Sequence, residues 1–409
     1  MSHQPGKYTT SPGLYVMMAT TLAATIPGFY LGMTDSEVGP IVGSLVFGFA
    51  IFGSAFCLAW AAEAAQIDIS ESLAVAILAL LAVLPEYAVD FVFTWRSAHD
   101  PSQAPLAIAN MTGANRLLVG LGWPVVLFLY VWAKRRKEIV MDSTQRVEIF
   151  YLAMATLYSF TIPLKGSLNL IDTVILVLMF AMYTRRAAQM ETIEPEFVGP
   201  VKIIANMKTV PRRVMTVSLF AWGGAVIFFS AHQFADSLIY LGEELGVDKR
   251  LLIQWLAPLA SEAPEFIVAA TWALRGAANS AIKALISSKV NQWTLLVGTI
   301  PLVYAISGSA IKPFVLDSFQ QHELLLTAAQ SLFGVAVLVN LKFNRKEGLA
   351  LLVLFLAQLV FSEIRLEMMQ FIWPWRSYIT LCNVESFCRP CAWVLVSRSA
   401  KIFSASSSL

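Results

Sequence analysis

The sequence predicts an all-α membrane protein, built as two inverted five-helix repeats plus one additional N-terminal transmembrane helix. Three observations carry that expectation. Hydrophobic residues make up 57% of the 409 positions and charged residues 14%, where soluble domains hold about 25% charged residues. Apolar stretches near the spanning length of about 20 residues recur along the whole chain. A Pro-Glu pair occurs twice inside apolar sequence, as Leu84-Pro85-Glu86-Tyr87 and as Ala263-Pro264-Glu265-Phe266, 179 residues apart.

Helices are the expected spans because backbone groups in lipid must pair within their own segment, and a β-barrel would show short alternating segments instead. The first apolar run, 14–32, is long enough to span and follows a single early positive residue, Lys7, so it reads as a retained helix and not as a cleaved leader. Ten further spans follow at 40–66, 70–96, 104–133, 147–163, 168–184, 214–242, 250–275, 281–307, 323–341 and 348–366. One long polar connection, 185–213, carries Arg185, Arg186, Lys202, Lys208, Arg212 and Arg213 and divides the chain. The organisation expected is an N-terminal helix (1–36), a first repeat (37–184), a central loop (185–213), a second repeat (214–371) and a tail (372–409).

The duplication extends beyond the Pro-Glu pair. Ala62-Glu63-Ala64-Ala65-Gln66-Ile67-Asp68 matches Gly242-Glu243-Glu244-Leu245-Gly246-Val247-Asp248 at a separation of 180, and Arg116-Leu117-Leu118-Val119-Gly120 matches Thr294-Leu295-Leu296-Val297-Gly298 at 178. Such drift corresponds to single-residue gaps in loops. Five spans lie between residue 40 and the central loop, and an odd number inverts the second unit relative to the first. Inverted repeats place a transporter's binding site at their interface near the midplane.

Orientation follows from Lys and Arg in short loops. Lys134-Arg135-Arg136-Lys137, the central loop, and Lys342, Arg345 and Lys346 fall on one side, which is expected to be cytoplasmic together with the N-terminus, in the inner membrane of a prokaryotic cell. Asp35, Glu37, Asp100, Glu244 and Asp317 fall on the other, with Arg96, Lys165, Lys249, Arg250 and Lys312 as exceptions. A net charge of +2 gives no reason to expect a nucleic-acid partner. Cys57 reads as packing. The tail cysteines, Cys382, Cys388 and Cys391, lack a neighbouring histidine and are not read as a metal site.

A carboxylate within a span is costly and marks a functional site by default. Glu86 lies mid-span, with Asp90 one turn on along the same face. The next span carries Ala109-Asn110-Met111-Thr112-Gly113-Ala114-Asn115, where Asn110 and Asn115 offer amide oxygens and Gly113 permits close helix approach. The second repeat offers Ser261, Glu262 and Glu265, and then Ser287-Ser288-Lys289-Val290-Asn291-Gln292. Proline within the Pro-Glu turn frees backbone carbonyls, and carboxylate, amide and carbonyl oxygens are what hard cations prefer. The candidate cation ligands are therefore Glu86, Glu265, Asn110, Asp90, Glu262, Ser261, Ser288, Asn115 and Asn291. Superposing the Leu-Leu-Val-Gly blocks sets Ser288 opposite Asn110, whereas counting from the glutamates sets Lys289 there.

These motifs at this separation resemble the calcium/cation antiporter superfamily, which includes the sodium/calcium exchangers. Its repeats read G-[TS]-S-L-P-E on one helix and G-N-x-x-G-S-N on the next. The resemblance covers about residues 40–366. It implies ten core helices, alternating access, and cation coordination by Glu86, Glu265 and Asn110, with Ca2+, Na+ and H+ as transported substrates and no resident cofactor. The hydroxyls that precede the Leu in that pattern are replaced by Leu81-Ala82-Val83, and the second partner motif is replaced by Ser288 to Trp293, which adds Lys289.

The expected function is thus secondary-active exchange of Ca2+ or Na+ against Na+ or H+. One alternative is exchange of a monovalent cation against H+, with Lys289 as the coupling group: paired with Glu262 or Asp90, it would replace a bound cation. Another is a cation channel, although one chain supplying both half-sites favours a transporter and is compatible with a monomer. No His-Glu-x-x-His motif exists, so an intramembrane metalloprotease is not expected.

Overall fold

The computed structural model of the chain describes residues 8–36, 38–68, 84–189, 197 and 199–360. Glu37, the first half of the span expected at 70–96, Leu81-Ala82-Val83 and the tail with its three cysteines lie outside the described residues. The long helices run in chain order. They are α1 (Pro12–Met33), α2 (Pro40–Ala65), α3 (Leu84–Ser97), α4 (Ala104–Leu117), α5 (Trp123–Lys134), α6 (Arg146–Ser159), a short α7 (Thr161–Lys165), and α8 (Leu170–Ala187). A short α9 (Val201–Ala205) lies in the central connection. The second half brings α10 (Thr209–Leu245), α11 (Lys249–Arg275), α12 (Ala278–Asn291), α13 (Val297–Ser307), α14 (Ser318–Leu338) and α15 (Arg345–Val360).

Two predicted spans each turn out to be broken. A π-helical turn at Leu118–Gly122 separates α4 from α5, and another at Gln292–Leu296 separates α12 from α13. The apolar periodicity runs through both turns, so pattern alone reads one helix where the backbone loosens its hydrogen-bond ladder; such π turns concentrate at functional sites. Five of the described helical stretches are long and apolar enough to cross a membrane, among them Pro40–Ala65, Pro101–Lys134 and Thr209–Leu245. Helix α11 is not one of them, and it carries Glu262 and Glu265 within its length.

Two short antiparallel ribbons, absent from the sequence reading, tie the halves together. Strand β1 (Glu138–Val140) pairs with β4 (Lys342–Asn344), with Ile139 opposite Phe343. Strand β2 (Ser167–Leu168) pairs with β3 (Phe314–Val315). Each ribbon takes one strand from each half, and the two sit at opposite ends of the bundle because α6 and α7 run between β1 and β2. The β1–β4 ribbon brings Lys134 to Lys137 to the same end as Lys342, Arg345 and Lys346, as the charge pattern anticipates. The central connection joins that end. Arg212 and Arg213 of α10 both bond the carboxylate of Asp68, which follows α2, with Arg212 at 2.7 and 2.9 Å and Arg213 at 3.0 Å. We call this the basic end.

Small residues set how closely the helices approach. In α1, Gly28 and Gly32 lie one turn apart. A methyl group on Gly28 would stand 2.4 Å from Ala50 Cβ of α2, and one on Gly32 would stand 2.2 Å from the Phe229 carbonyl oxygen of α10. The helix outside the repeats is thus seated on the first helix of each. The tightest crossing is α4 on α11, where a methyl on Gly113 would stand 1.8 Å from the main-chain oxygen of Gln254. No flexible side chain can yield there, so Gly113→Ala is expected to force α4 and α11 apart. It should destabilise the protein by about 2–3 kcal/mol, the upper part of the range for overpacking, read as a lower melting temperature in detergent. Asp68 offers a second check. The Arg212 hydrogen bond, followed by those of Arg213 and both cationic charges, holds its carboxyl below the ordinary 3.8. A depressed carboxyl contributes stability above the unfolded value and loses it as pH falls through the folded one. Asp68→Asn should therefore cost about 1 kcal/mol near neutral pH, and the gap to the parent protein should close as pH drops below about 4.

Candidate cation-binding site

The two Pro-Glu helices, α3 and α11, carry the site, and α4 and α12 complete it. Glu86 and Asp90 lie one turn apart on α3 and are 2% and 3% exposed. Asn110 of α4 donates to Asp90 Oδ1 at 2.7 Å. On α11, Glu262 is 3% exposed, while Glu265 is half-buried. Ser288 of α12 donates to Glu265 Oε2 at 2.6 Å, so it is Ser288, and not Lys289, that faces the second repeat's glutamate.

A residue the sequence reading passed over joins the halves. Gln292, at the head of the second π turn, uses one amide nitrogen to bond Glu86 Oε2 at 3.1 Å and Glu262 Oε1 at 2.5 Å. The signal was available, because Gln292 lies four residues after Ser288 and hence on the same helix face. The remaining oxygens of this group, Glu86 Oε1, Asp90 Oδ2, Asn110 Oδ1, Glu262 Oε2 and Gln292 Oε1, are buried without a hydrogen-bond partner.

The other candidate ligands are engaged elsewhere. Ser261 bonds back to the carbonyls of Ala257 and Pro258 on its own helix. Asn291 Oδ1 accepts from the Tyr87 hydroxyl at 3.0 Å. Lys289 corrects one expectation: its ammonium does not pair with Glu262 or Asp90. It is fully buried and bonds the main-chain oxygen of Asn115 at 2.5 Å and Asn115 Oδ1 at 2.8 Å, with the Trp293 ring 5.3 Å away. Asn115 lies three residues before the first π turn, and its two oxygens together supply a cradle that no single carboxylate offers. The next residue, Arg116, forms a buried ion pair with Glu323 of α14, which also accepts from Gln254 of α11 at 2.6 Å. Neither Glu323 nor this pair was read from the sequence, although a charged residue inside a predicted span was its signal.

Four carboxyl groups and one ammonium therefore share a buried region. Low-dielectric surroundings do not hold three uncompensated negative charges, so the excess has to be offset by protons or by metal cations. Among the described residues no three acids, histidines or cysteines converge on one metal position. In this arrangement Gln292 stands between Glu86 and Glu262.

An inverted-repeat helical bundle in which acids of both halves meet in the interior defines a secondary-active cation transporter. The chain matches the sodium/calcium exchanger protein family over residues 39–187 and 215–363. It belongs to that family, as a multi-pass membrane antiporter of inorganic cations. Among solved structures it resembles that of the H+/Ca2+ exchanger CAX, at 38% identity and a TM-score of 0.90, covering 96% of this chain and 99% of that one. Native YfkE matches at 16% identity and a TM-score of 0.58, over 84% of this chain and 98% of that one. The sodium-calcium exchanger NCX_Mj soaked with 100 mM Na+ and 10 mM Sr2+ matches at 18% identity and a TM-score of 0.53, over 78% and 97%. The last two show the shared fold. No curated protein matches the chain in sequence.

The Gln292 bridge is testable without transport. Gln292→Leu leaves Glu86 and Glu262 buried without their shared donor, which should cost about 1–3 kcal/mol. The loss is read as a lower melting temperature of the purified protein in chelator, and saturating divalent cation should narrow the difference.

Proposed function

We propose that the protein exchanges Ca2+ against H+ by alternating access, with the two repeats, 37–184 and 214–371, as the units that move against each other. The observation that carries this reading is the set of unpartnered buried oxygens on Glu86, Asp90, Asn110 and Glu262. These are hard donors of the kind Ca2+ takes in sixfold to eightfold coordination. They come from three helices and both repeats, so a cation could gather them by displacing the Gln292 amide. Glu265 and Ser288 form the half-buried side of the same site and would be the first groups an entering ion meets.

Protons suit the return step on charge grounds. The same carboxyl groups need compensation whether or not the metal is present, and a proton on each acid supplies it once the cation has left. That reciprocity is the substance of antiport: a cation and protons compete for one set of oxygens. The similarity to an H+/Ca2+ exchanger at 38% identity over nearly the full length of both chains supports the same pair of ions. The alternative in which Lys289 stands in for a transported cation draws less support, because its ammonium is committed to Asn115. The basic end would face the cytoplasm, with the N-terminus beside it, in a prokaryotic inner membrane.

The test is radiolabelled Ca2+ uptake by proteoliposomes under an imposed pH gradient, with the internal pH followed by a dye. Parent protein should couple the two fluxes and be indifferent to replacing Na+ with choline. Glu86→Gln and Glu265→Gln should each lower Ca2+ uptake by at least about tenfold, the scale on which partners of a metal site act. Equal uptake in all three proteins, or uptake that requires Na+, would end the proposal.

A further inference from the structure

The repeat supplies an internal comparison between the two ends of the bundle. Pro85 to Arg96 on α3 and Pro264 to Arg275 on α11 align without a gap, both starting Pro-Glu and both closing on arginine. Their neighbours are the first helices of the two repeats, α10 and α2, related by the 180-residue separation that also sets Glu243 over Glu63. Under that relation Asp236 of α10 corresponds to Phe56 of α2, and His232 to Phe52. The same structural position thus carries Arg-Asp at one end and Arg-Phe at the other.

The two positions also differ in geometry. At the end opposite the basic one, Arg96 holds Asp236 with two parallel bonds, Nη1 to Oδ1 at 2.5 Å and Nη2 to Oδ2 at 2.9 Å. Arg96 Nη2 also lies 2.9 Å from the His232 ring nitrogens. This bidentate geometry is the strong form of the Arg–carboxylate pair. Close by, Ser307 of α13 donates to the Trp95 carbonyl at 2.7 Å. At the basic end, Arg275 and Phe56 instead line one open cavity of about 420 Å3, together with Trp60, Thr271, Lys202 and Leu14 and Met17 of α1; no candidate cation ligand is among its lining residues. Among the described residues no carboxylate bonds Arg275.

We infer that Arg96 and Asp236 form a latch that holds the far end of the cation path shut, one that the repeat-related pair at the basic end, Arg275 and Phe56, cannot form. The latch joins α3, which carries Glu86 and Asp90, to α10, which carries no candidate ligand. Turning the site toward the far end requires those two helices to part, so the pair must break once in each cycle. Of the two repeat-related positions only the far one carries an ion pair, so the sequence itself biases the resting protein against the state open at the far end; the Arg212–Asp68 pair at the basic end joins α10 to the end of α2 and is not its counterpart. Arg96 and Asp236 are accordingly positioning residues: they touch no cation and set which side reaches it.

The test reads accessibility and needs no ion to be identified, so its outcome is separate from that of the Ca2+/H+ reading. In full-length protein lacking Cys57, Cys382, Cys388 and Cys391, single reporters are placed at Thr94→Cys, which is 1% exposed beside the latch, and at Thr271→Cys in the cavity. Labelling by a membrane-impermeant maleimide is timed from each face of reconstituted vesicles. With the latch intact, position 271 should label from the basic end while position 94 stays protected. Asp236→Ala and Arg96→Gln should each raise labelling at 94 by about tenfold, as expected for a shifted two-state equilibrium, and lower it at 271. The exchanged pair Arg96→Asp with Asp236→Arg should restore the original pattern. Phe56→Asp tests the converse without disturbing the latch, since an acid offered to Arg275 should protect position 271 and expose 94. Unchanged labelling at 94 in both latch variants overturns the inference, as does a rise at 94 without a fall at 271. So does a Phe56→Asp protein that leaves both sites as they were.

Discussion

The structure is organised around a charge imbalance that it cannot dissipate. Glu86, Asp90, Glu262 and Glu265 are held in the interior by four helices, with Lys289 as the cation among them, and Lys289 is turned to Asn115. Burying carboxyl groups in this way is tolerable only while something positive accompanies them. The broken helices at Leu118–Gly122 and Gln292–Leu296, the α4–α11 crossing at Gly113, and the Arg116–Glu323 pair beneath the site all serve to bring these acids together in a dry place. In the exchange proposed above the imbalance itself is the working part, because a cation or protons must accompany these acids.

The two halves divide the labour unequally. The first repeat keeps the asparagine helix, with Asn110 on Asp90. The second keeps a serine in that place, with Ser288 on Glu265, and adds Gln292, whose amide reaches across to Glu86 of the first repeat. In the proposed site, two half-sites related by the repeat share a neutral bridge, the Gln292 amide. Amide nitrogen competes for carboxylate oxygen more weakly than a divalent cation does, so the bridge can hold the empty site together and still give way.

Much of this is legible in the sequence. The spans, the repeat and the Pro-Glu acids follow from patterns that the bilayer enforces: long apolar runs, charged loops on one side, and carboxylates where none is affordable without a use. Asn110, Asp90, Glu262 and Ser288 fall at the site because helix period fixes which residues share a face. What escaped was set by contacts between helices, which a single pattern does not encode. Lys289 could reach an acid or an amide by the same count of residues, and only the crossing of α12 on α4 decides for Asn115. Gln292 and Glu323 lay in plain view as polar residues in apolar helices, yet their partners sit in other spans. The π turns were hidden because they leave the hydrophobic period almost intact.

The two ribbons carry a consequence for how the protein is made. Strand β1 has its partner, β4, about 200 residues further along the chain, beyond nearly the whole second half. At common rates of synthesis that is a wait of roughly 10–40 s. Strand β2 likewise depends on β3. Neither half can therefore close its own edge as it leaves the ribosome. The first must sit in the bilayer unfinished, its acids not yet matched by Gln292 or by the second set of helices, until the later helices arrive. The two ribbons therefore close only when the second half has been made.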